Sequence, residues 1–162
     1  MTPRPPIRRA SSWLNRTLHS LDTAYSGSPV QLRVDFSVLR QPTRNWTGLP
    51  EYAVSKLCNV LFSQELARRM GGGGVTSYAL HPGVVASDIF RRVPQPFRSL
   101  IKLFMISPEL GARTSLYCAA DPGLAGASGR YYDNCAEREP NRAATASLAA
   151  RLWEQSEAWT AA

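Results

Sequence analysis

Cysteine and histidine are scarce in this sequence of 162 residues, which contains 3 and 2 of them. The cysteines, Cys58, Cys118 and Cys135, form no C-x-x-C pair, and their odd number argues against a disulfide framework or a zinc site. We therefore expect three free thiols. His19 and His81 are the only histidines, and the sequence shows no cluster of metal ligands, so we predict no metal site.

Long apolar runs are absent as well. No stretch of about 18 consecutive apolar residues occurs, so the sequence predicts no transmembrane helix. Apolar residues make up 44% of the chain, with 11 glycines and 12 prolines. This composition is typical of a folded domain rather than of a disordered chain. The length fits one domain or part of a larger one.

Positive charge exceeds negative charge, with 19 basic residues against 12 acidic ones and a net charge of +7. The excess is concentrated in the first third, where prolines and arginines precede the first acid, Asp22. This pattern predicts a basic, poorly ordered segment over residues 1–29 and leaves an organelle transit peptide as an alternative. The arginines are scattered and no recognised nucleic-acid-binding motif occurs, so we expect no nucleic-acid partner.

Helical and extended patterns alternate along the rest of the chain. Apolar residues at helical spacing predict a core-facing helix over residues 51–70, which four consecutive glycines end. Alternation of this kind is typical of α/β folds with a parallel sheet. The other predicted elements are a weak strand at 30–36, a strand at 75–80, a helix at 107–120, a strand at 129–134 and a helix at 140–159.

Tyr52 and Lys56 stand four residues apart at the start of the first predicted helix. Residues at this spacing lie on the same face of a helix, so the ammonium stands near the phenol. A neighbouring positive charge favours the phenolate, and a phenol tuned in this way can exchange a proton with an alcohol or a ketone near neutral pH. The spacing taken alone is a weak signal, because exposed helix residues often match it by chance.

Further motifs follow this pair in a fixed order. After YAVSK at 52–56 come the four glycines, a strand, the segment HPGVVAS at 81–87, and then SPELGARTSLYCA at 107–119 and SGRYY at 128–132. This order resembles the short-chain dehydrogenase/reductase superfamily, and the later segments resemble its retinol dehydrogenase branch. LRVDF at 32–36, with Pro42 and Trp46, is similar to the member-thirteen subgroup of that branch.

The resemblance covers roughly residues 30–160 and implies a doubly wound, Rossmann-like parallel sheet. Nucleotide binding in such a sheet needs a strand, a glycine-rich turn and a helix in succession. The sequence contains no such element, since the glycines at 71–74 follow a helix and precede a strand. We therefore expect residues 30–162 to form the C-terminal half of this domain, truncated on its nucleotide-binding side.

The resemblance also implies roles for individual residues. Tyr52 would donate or accept the proton at the substrate oxygen, and Lys56 would hold the nicotinamide ribose and tune Tyr52. The cofactor would be NADP or NAD, and its nicotinamide end would contact the loop after the second strand. The loop residues implied in that contact are Pro82, Gly83, Val85 and Ser87.

The third member of the family's catalytic set, a serine, is less clearly marked. Ser26 stands at the matching distance before Arg33, and we take it as the candidate. Ser37 is an alternative on spacing alone, because it follows the segment Val34-Asp35-Phe36. The hydroxyl of the catalytic serine would stabilise the same substrate oxygen that Tyr52 contacts.

The resemblance implies a lipophilic partner molecule. Residues 84–106 would form the substrate lid, and their apolar content fits a retinoid-like alcohol or carbonyl. The same segment fits core packing or contact with a membrane surface. By family, we expect an intracellular protein, associated with the endoplasmic reticulum or mitochondrial membrane, and a homodimer formed through the Tyr52 helix.

Two functions therefore stay open at this stage. The first is an NAD(P)-dependent oxidoreductase of the short-chain type that acts on lipophilic alcohols and carbonyls. The second is a catalytically inactive fragment or isoform that lacks the dinucleotide-binding half. They differ in whether Tyr52 contributes to turnover.

Overall fold

The computed structural model describes residues 32–42, 49–83 and 106–161. Within these ranges the chain forms three α-helices and three β-strands. A short 3-10 helix, Pro122–Leu124, precedes the second strand. The elements, in chain order, are α1 (Leu49–Arg69), β1 (Tyr78–His81), α2 (Pro108–Ala120), β2 (Arg130–Asp133), β3 (Ala136–Arg138) and α3 (Ala146–Thr160).

Helix α1 confirms the helix predicted over residues 51–70. Its buried apolar positions are Ala53, Leu57, Val60 and Leu61, which recur at helical spacing. The glycines after it end the helix as predicted: Gly72 and Gly74 have φ angles of 83° and 72°, a left-handed conformation in which other residues are strained.

The C-terminal part of α1 contains a buried carboxylate. The side chain of Glu65 is 1% exposed and accepts hydrogen bonds from Arg68 at 2.6 and 2.8 Å and from Arg69 at 2.7 Å. Hydrogen bonds from Arg68 are the largest cause of a lowered pKa, which falls from 4.5 to about 2. Glu65 is therefore ionised throughout the neutral range, and its charge holds two arginines in the last turn of the helix.

The three strands form one sheet in the order β1-β2-β3. Strands β1 and β2 run parallel, with Tyr78 opposite Arg130 and His81 opposite Asp133. Strand β3 pairs with β2 in the antiparallel direction, with Asp133 opposite Ala136. The α/β class is confirmed, but the sheet is mixed rather than purely parallel.

The sequence missed β3 and misplaced one strand. All three residues of β3 are exposed, so they carry no apolar pattern; the strand forms because a two-residue turn folds it back onto β2. Residues 32–36 were predicted to be extended, yet residues 36–40 form a turn and 32–35 have no regular structure. That prediction was wrong for the described residues, and residues 30 and 31 lie outside them.

The two faces of the sheet are covered by different helices. Ala79 and Tyr131 pack with Val60 of α1. On the opposite face, Tyr132 packs with Cys118 of α2, and a cluster forms around them with Tyr78, Leu80, Tyr117 and Leu124. The alternation of side chains along β1 and β2 thus assigns odd-numbered residues to the α1 face and even-numbered residues to the α2 face.

Helix α2 begins as predicted. The Ser107 hydroxyl accepts a hydrogen bond from the amide of Leu110 at 3.4 Å, and Pro108 occupies the first helical position. Pro108 fits there because the first amides of a helix have no intrahelical partner. The helix ends at Asp121, whose amide donates to the Tyr117 carbonyl at 3.0 Å.

Helix α3 packs along α1 rather than on the sheet. Ala149 and Leu152 bury against Leu57 and Leu61. Trp153 stacks on Phe62 with ring centroids 5.2 Å apart. The helix starts six residues later than the predicted residue 140, because the Asn141 side chain accepts a hydrogen bond from the Ala143 amide and holds a turn there.

None of the helices in the described ranges has both the length and the apolar composition required to cross a bilayer.

Candidate functional site

The direction of α1 relative to the strands determines which half of the helix lies beside which end of the sheet. The hydroxyls of Ser63, in α1, and Ser77, just before β1, lie 2.9 Å apart. Gly129, just before β2, packs so closely on α1 that a Cβ there would lie 3.0 Å from the Cβ of Ala67. The C-terminal half of α1 is therefore level with the beginnings of β1 and β2.

The N-terminal half of α1 accordingly reaches the carboxyl ends of the strands. Lys56 lies seven residues before Ser63, about 10 Å along a helix, and His81 lies four residues after Ser77, about 13 Å along a strand. Tyr52, Lys56 and the end of β1 thus share one edge of the sheet. In open α/β sheets, ligands bind outside this carboxyl edge.

Tyr52 and Lys56 share a face of α1, which confirms the prediction from their spacing. The Lys56 ammonium nitrogen lies 5.2 Å from the centroid of the Tyr52 ring. Both side chains are exposed, Tyr52 at 47%. Both groups are therefore open to a bound molecule, and each can donate a hydrogen bond to it.

The turn after β1 contributes Pro82 and Gly83 to the same edge. Pro82 is exposed, and Gly83 has a φ of 81°. A Cβ on Gly83 would lie 2.6 Å from the Cδ1 atom of Ile106. The backbone can therefore approach Ile106 only because residue 83 has no side chain.

Two ionisable residues at this edge were not among the candidates from the sequence. His81 and Asp133 are partners in the parallel register and both are odd-numbered, so they lie on the α1 face. They lie two residues beyond Ala79 and Tyr131, which pack with Val60, in the direction of the N-terminal half of α1. The alternation of side chains along each strand could have placed both residues on one face of the sheet. It could not pair them, because the register between the two distant strands is not readable from the sequence.

Of the two candidate serines, Ser37 lies within the described residues. The Ser37 hydroxyl donates to the Asp35 carboxylate at 2.7 Å, and the Ser37 amide donates to it at 2.9 Å. These hydrogen bonds lower the pKa of Asp35 and hold a local turn. Ser26, Val85 and Ser87 lie outside the described residues, so their predicted roles stay predictions.

No group of three or more histidine, cysteine, aspartate or glutamate side chains converges as a metal site within the described ranges. The described residues at this edge are the Tyr52–Lys56 pair on α1, His81 and Asp133 at the ends of two strands, and the Pro82-Gly83 turn.

Comparison with known proteins gives a family for this arrangement. The chain is 47% identical over 131 residues to dehydrogenase/reductase SDR family member 13 from Bos taurus, an alignment that covers 76% of this chain and 35% of the relative. It is 43% identical over 113 residues to retinol dehydrogenase 14 from Mus musculus, covering 65% and 34%. It is 42% identical over 129 residues to the human WW domain-containing oxidoreductase, covering 77% and 31%.

The chain belongs to the short-chain dehydrogenase/reductase family, on the strength of these identities. It spans about a third of the length of these curated relatives. No protein-family model matches it. The family resemblance predicted from the motif order is therefore confirmed.

Proposed function

We propose that this chain carries the proton-transfer part of an oxidoreductase site that interconverts alcohols and carbonyls with NAD(P). The single observation behind the proposal is the Tyr52–Lys56 pair, exposed at the carboxyl edge of the sheet with 5.2 Å between ammonium and ring centroid. Names of the relatives, which include a dehydrogenase/reductase and an oxidoreductase, agree with this chemistry.

The described residues fit the nicotinamide-ribose end of such a cofactor. Lys56 offers three N–H donors in a position open to solvent, which suits the vicinal hydroxyls of a ribose. Pro82 and Gly83 place a turn with little side-chain bulk beside it. NAD(P), when bound, would supply or accept the hydride; the choice between NAD and NADP rests on residues that this sequence does not contain.

Two residues of the chain, Tyr52 and Lys56, carry out the proton transfer. Tyr52 donates its phenolic proton to the carbonyl oxygen in reduction and accepts a proton from the alcohol in oxidation. Lys56 stabilises the phenolate that forms in the first case and exists at the start of the second. A general acid–base contribution of this kind is worth about 10² to 10⁴ in rate.

The proposed substrate class is a lipophilic alcohol or carbonyl of the retinoid kind. Two facts support it: one relative is named a retinol dehydrogenase, and the sequence between Gly83 and Ile106 is rich in apolar residues. Contact of that apolar segment with a membrane surface belongs to the same proposal.

Hydride transfer by the purified chain tests the proposal. All-trans-retinal and NADPH are incubated with the chain, and the loss of NADPH absorbance is compared with a reaction that lacks the aldehyde. We expect consumption of NADPH that depends on both protein and retinal, with retinol as the product. No consumption with retinal or with shorter aldehydes, and no binding of NADPH by fluorescence, would contradict the proposal and support the inactive alternative.

A further inference from the structure

Two of the three cysteines lie close together on the side of the sheet that faces α2, away from the Tyr52 site. Cys118 is buried in the last turns of α2 and packs against Tyr132. Cys135 is the second residue of the two-residue turn that joins β2 to β3. Both are free thiols in the structure.

Thr114 connects the two positions. Its hydroxyl oxygen accepts a hydrogen bond from the Cys135 amide at 3.3 Å. Thr114 and Cys118 are four residues apart in α2 and both are buried, so they share the face that the hairpin covers. The Cys135 backbone therefore lies beside the turn of α2 that precedes Cys118.

The turn that holds Cys135 has an unusual residue for its conformation. Asn134 and Cys135 have φ angles of 50° and 58°, which is the pattern of a turn that prefers asparagine followed by glycine. Asparagine fits the first position, whereas a cysteine at the second is strained. The strand that follows, β3, is fully exposed, so the turn at Asn134 and Cys135 is free of buried side chains on its β3 side.

The surroundings of the two thiols differ. Burial raises the pKa of the Cys118 thiol, and negative charge at Cys135 raises it further. Cys135 is half-buried, whereas Cys118 is buried. We therefore expect Cys135 to react first with a reagent in solution. Cys118 would then be the thiol that attacks the mixed disulfide.

We propose that Cys118 and Cys135 form a reversible dithiol–disulfide pair that exchanges with low-molecular-mass disulfides. The Cys135 thiolate attacks one sulfur of glutathione disulfide, which forms a mixed disulfide and releases one glutathione thiolate. The Cys118 thiol gives its proton to that thiolate and its sulfur then attacks Cys135 Sγ, which releases the second glutathione as a thiolate that takes a proton from solvent. The net reaction converts one protein dithiol and one glutathione disulfide into one protein disulfide and two glutathione thiols.

The new bond would tie the hairpin to α2. It would close a short loop across the α2–β2 connection and restrict the unfolded chain, so the oxidised protein should have a higher Tm than the reduced one. This inference is independent of the proposed oxidoreductase function, because neither cysteine lies on the α1 face.

Cys58 provides the internal control. It lies in α1 and packs with the α1–α3 cluster, on the other side of the sheet from Cys118. Burial raises its pKa as well, so it shares the low reactivity of Cys118 without a neighbouring cysteine. A disulfide that involves Cys58 would therefore indicate random oxidation.

The test equilibrates the purified chain in glutathione buffers of increasing oxidised fraction, blocks free thiols by alkylation in acid-quenched samples, and maps peptides by mass spectrometry. We expect one cross-linked peptide pair joining Cys118 to Cys135, with the loss of two hydrogen atoms, in the wild type and in Cys58→Ser. The link should be absent from Cys118→Ser and from Cys135→Gly, the latter a change that relieves the strained turn and keeps the fold.

Two results would overturn the proposal. One is that all three thiols stay free over the whole range in wild type and Cys58→Ser. The other is that disulfides to Cys58 are as frequent as the Cys118–Cys135 disulfide when the folded chain is oxidised in buffer, as they are when the chain is oxidised after unfolding in urea. A Cys118→Ser chain that fails to fold leaves the test intact, because the wild type and Cys58→Ser decide it.

Discussion

Gly83 and Gly74 share a left-handed backbone but have different surroundings. Their φ angles are 81° and 72°. A Cβ on Gly74 would meet nothing within 4 Å, whereas one on Gly83 would lie 2.6 Å from Ile106 Cδ1. Gly74 is therefore required only for its backbone conformation, whereas Gly83 is required both for its conformation and for the space beside Ile106.

Replacement of each glycine by alanine should therefore have different costs. Gly74→Ala should lose about 1 kcal/mol of unfolding free energy, the strain of a left-handed alanine. Gly83→Ala should lose a further 1–3 kcal/mol or so, because Ile106 has to move. Urea denaturation of both variants measures the difference, and equal losses would show that the Ile106 contact has no energetic role.

Residue-scale prediction from the sequence worked where the pattern is local. Tyr52 and Lys56 could be placed on one face because four residues of helix fix their relation. His81 and Asp133 could not be joined, since their contact depends on the register of two strands 52 residues apart in sequence. Ser26 stays a prediction, because it lies outside the described residues.

At the scale of elements, Glu65 shows how α1 is held at its C-terminal end. Its pKa is lowered from 4.5 to about 2, first through hydrogen bonds from Arg68 and then from Arg69. A carboxyl whose pKa is lower in the folded state stabilises the fold above its unfolded value and loses that contribution as pH falls through the folded value. The contribution of Glu65 is thus complete above about pH 4.5 and disappears toward pH 2.

Glu65→Gln tests this pH dependence. At pH 7 we expect a loss of about 1 kcal/mol, a modest figure because Arg68 stays largely exposed to water. The difference in unfolding free energy between wild type and Glu65→Gln should shrink as the pH is lowered from 5 to 2. Other carboxylates with a lowered pKa, Asp35 and Glu109, are common to both proteins and cancel. A difference that stays constant over this range would refute the role of the Glu65 charge.

Helices were predicted more accurately than strands for a physical reason. Helix α2 begins at the predicted proline because its cap, Ser107, lies next to it in sequence. Strand β3 has no apolar residue to bury beyond Ala136 and exists only through its pairing with β2. A strand defined by its partner leaves no periodic signal in its own sequence.

At the scale of the whole molecule, several arginines contact aromatic rings. Three arginines of the described residues lie over aromatic rings of the α1–α3 region: Arg69 over Trp153 at 4.8 Å, Arg151 over Phe36 at 5.1 Å and Arg40 over Trp159 at 5.9 Å. Planar guanidinium groups suit such stacking better than ammonium groups do. Part of the arginine content therefore serves packing within the chain.

The packing of α1 fixes the position of the candidate site in the fold. Helix α1 packs on the sheet through Val60 and on α3 through Leu57 and Leu61, so its position is fixed on two sides. This fixed helix carries Tyr52 and Lys56 to the carboxyl edge, where β1 ends in the Pro82-Gly83 turn. The family resemblance implied that Tyr52, Lys56 and this turn contact the nicotinamide end of one cofactor, which stays a prediction, whereas the mixed sheet and the positions of the two cysteines required the structure.

The turnover of Tyr52→Phe tests the central claim most directly. The variant is compared with Tyr117→Phe, which removes the hydroxyl of a half-buried tyrosine in α2, on the other face of the sheet. With NADPH and retinal, we predict a fall in kcat of about 10² to 10⁴ for Tyr52→Phe, near-wild-type turnover for Tyr117→Phe, and the same affinity for NADPH in both. Equal turnover in wild type and Tyr52→Phe would contradict the assignment of proton transfer to this residue.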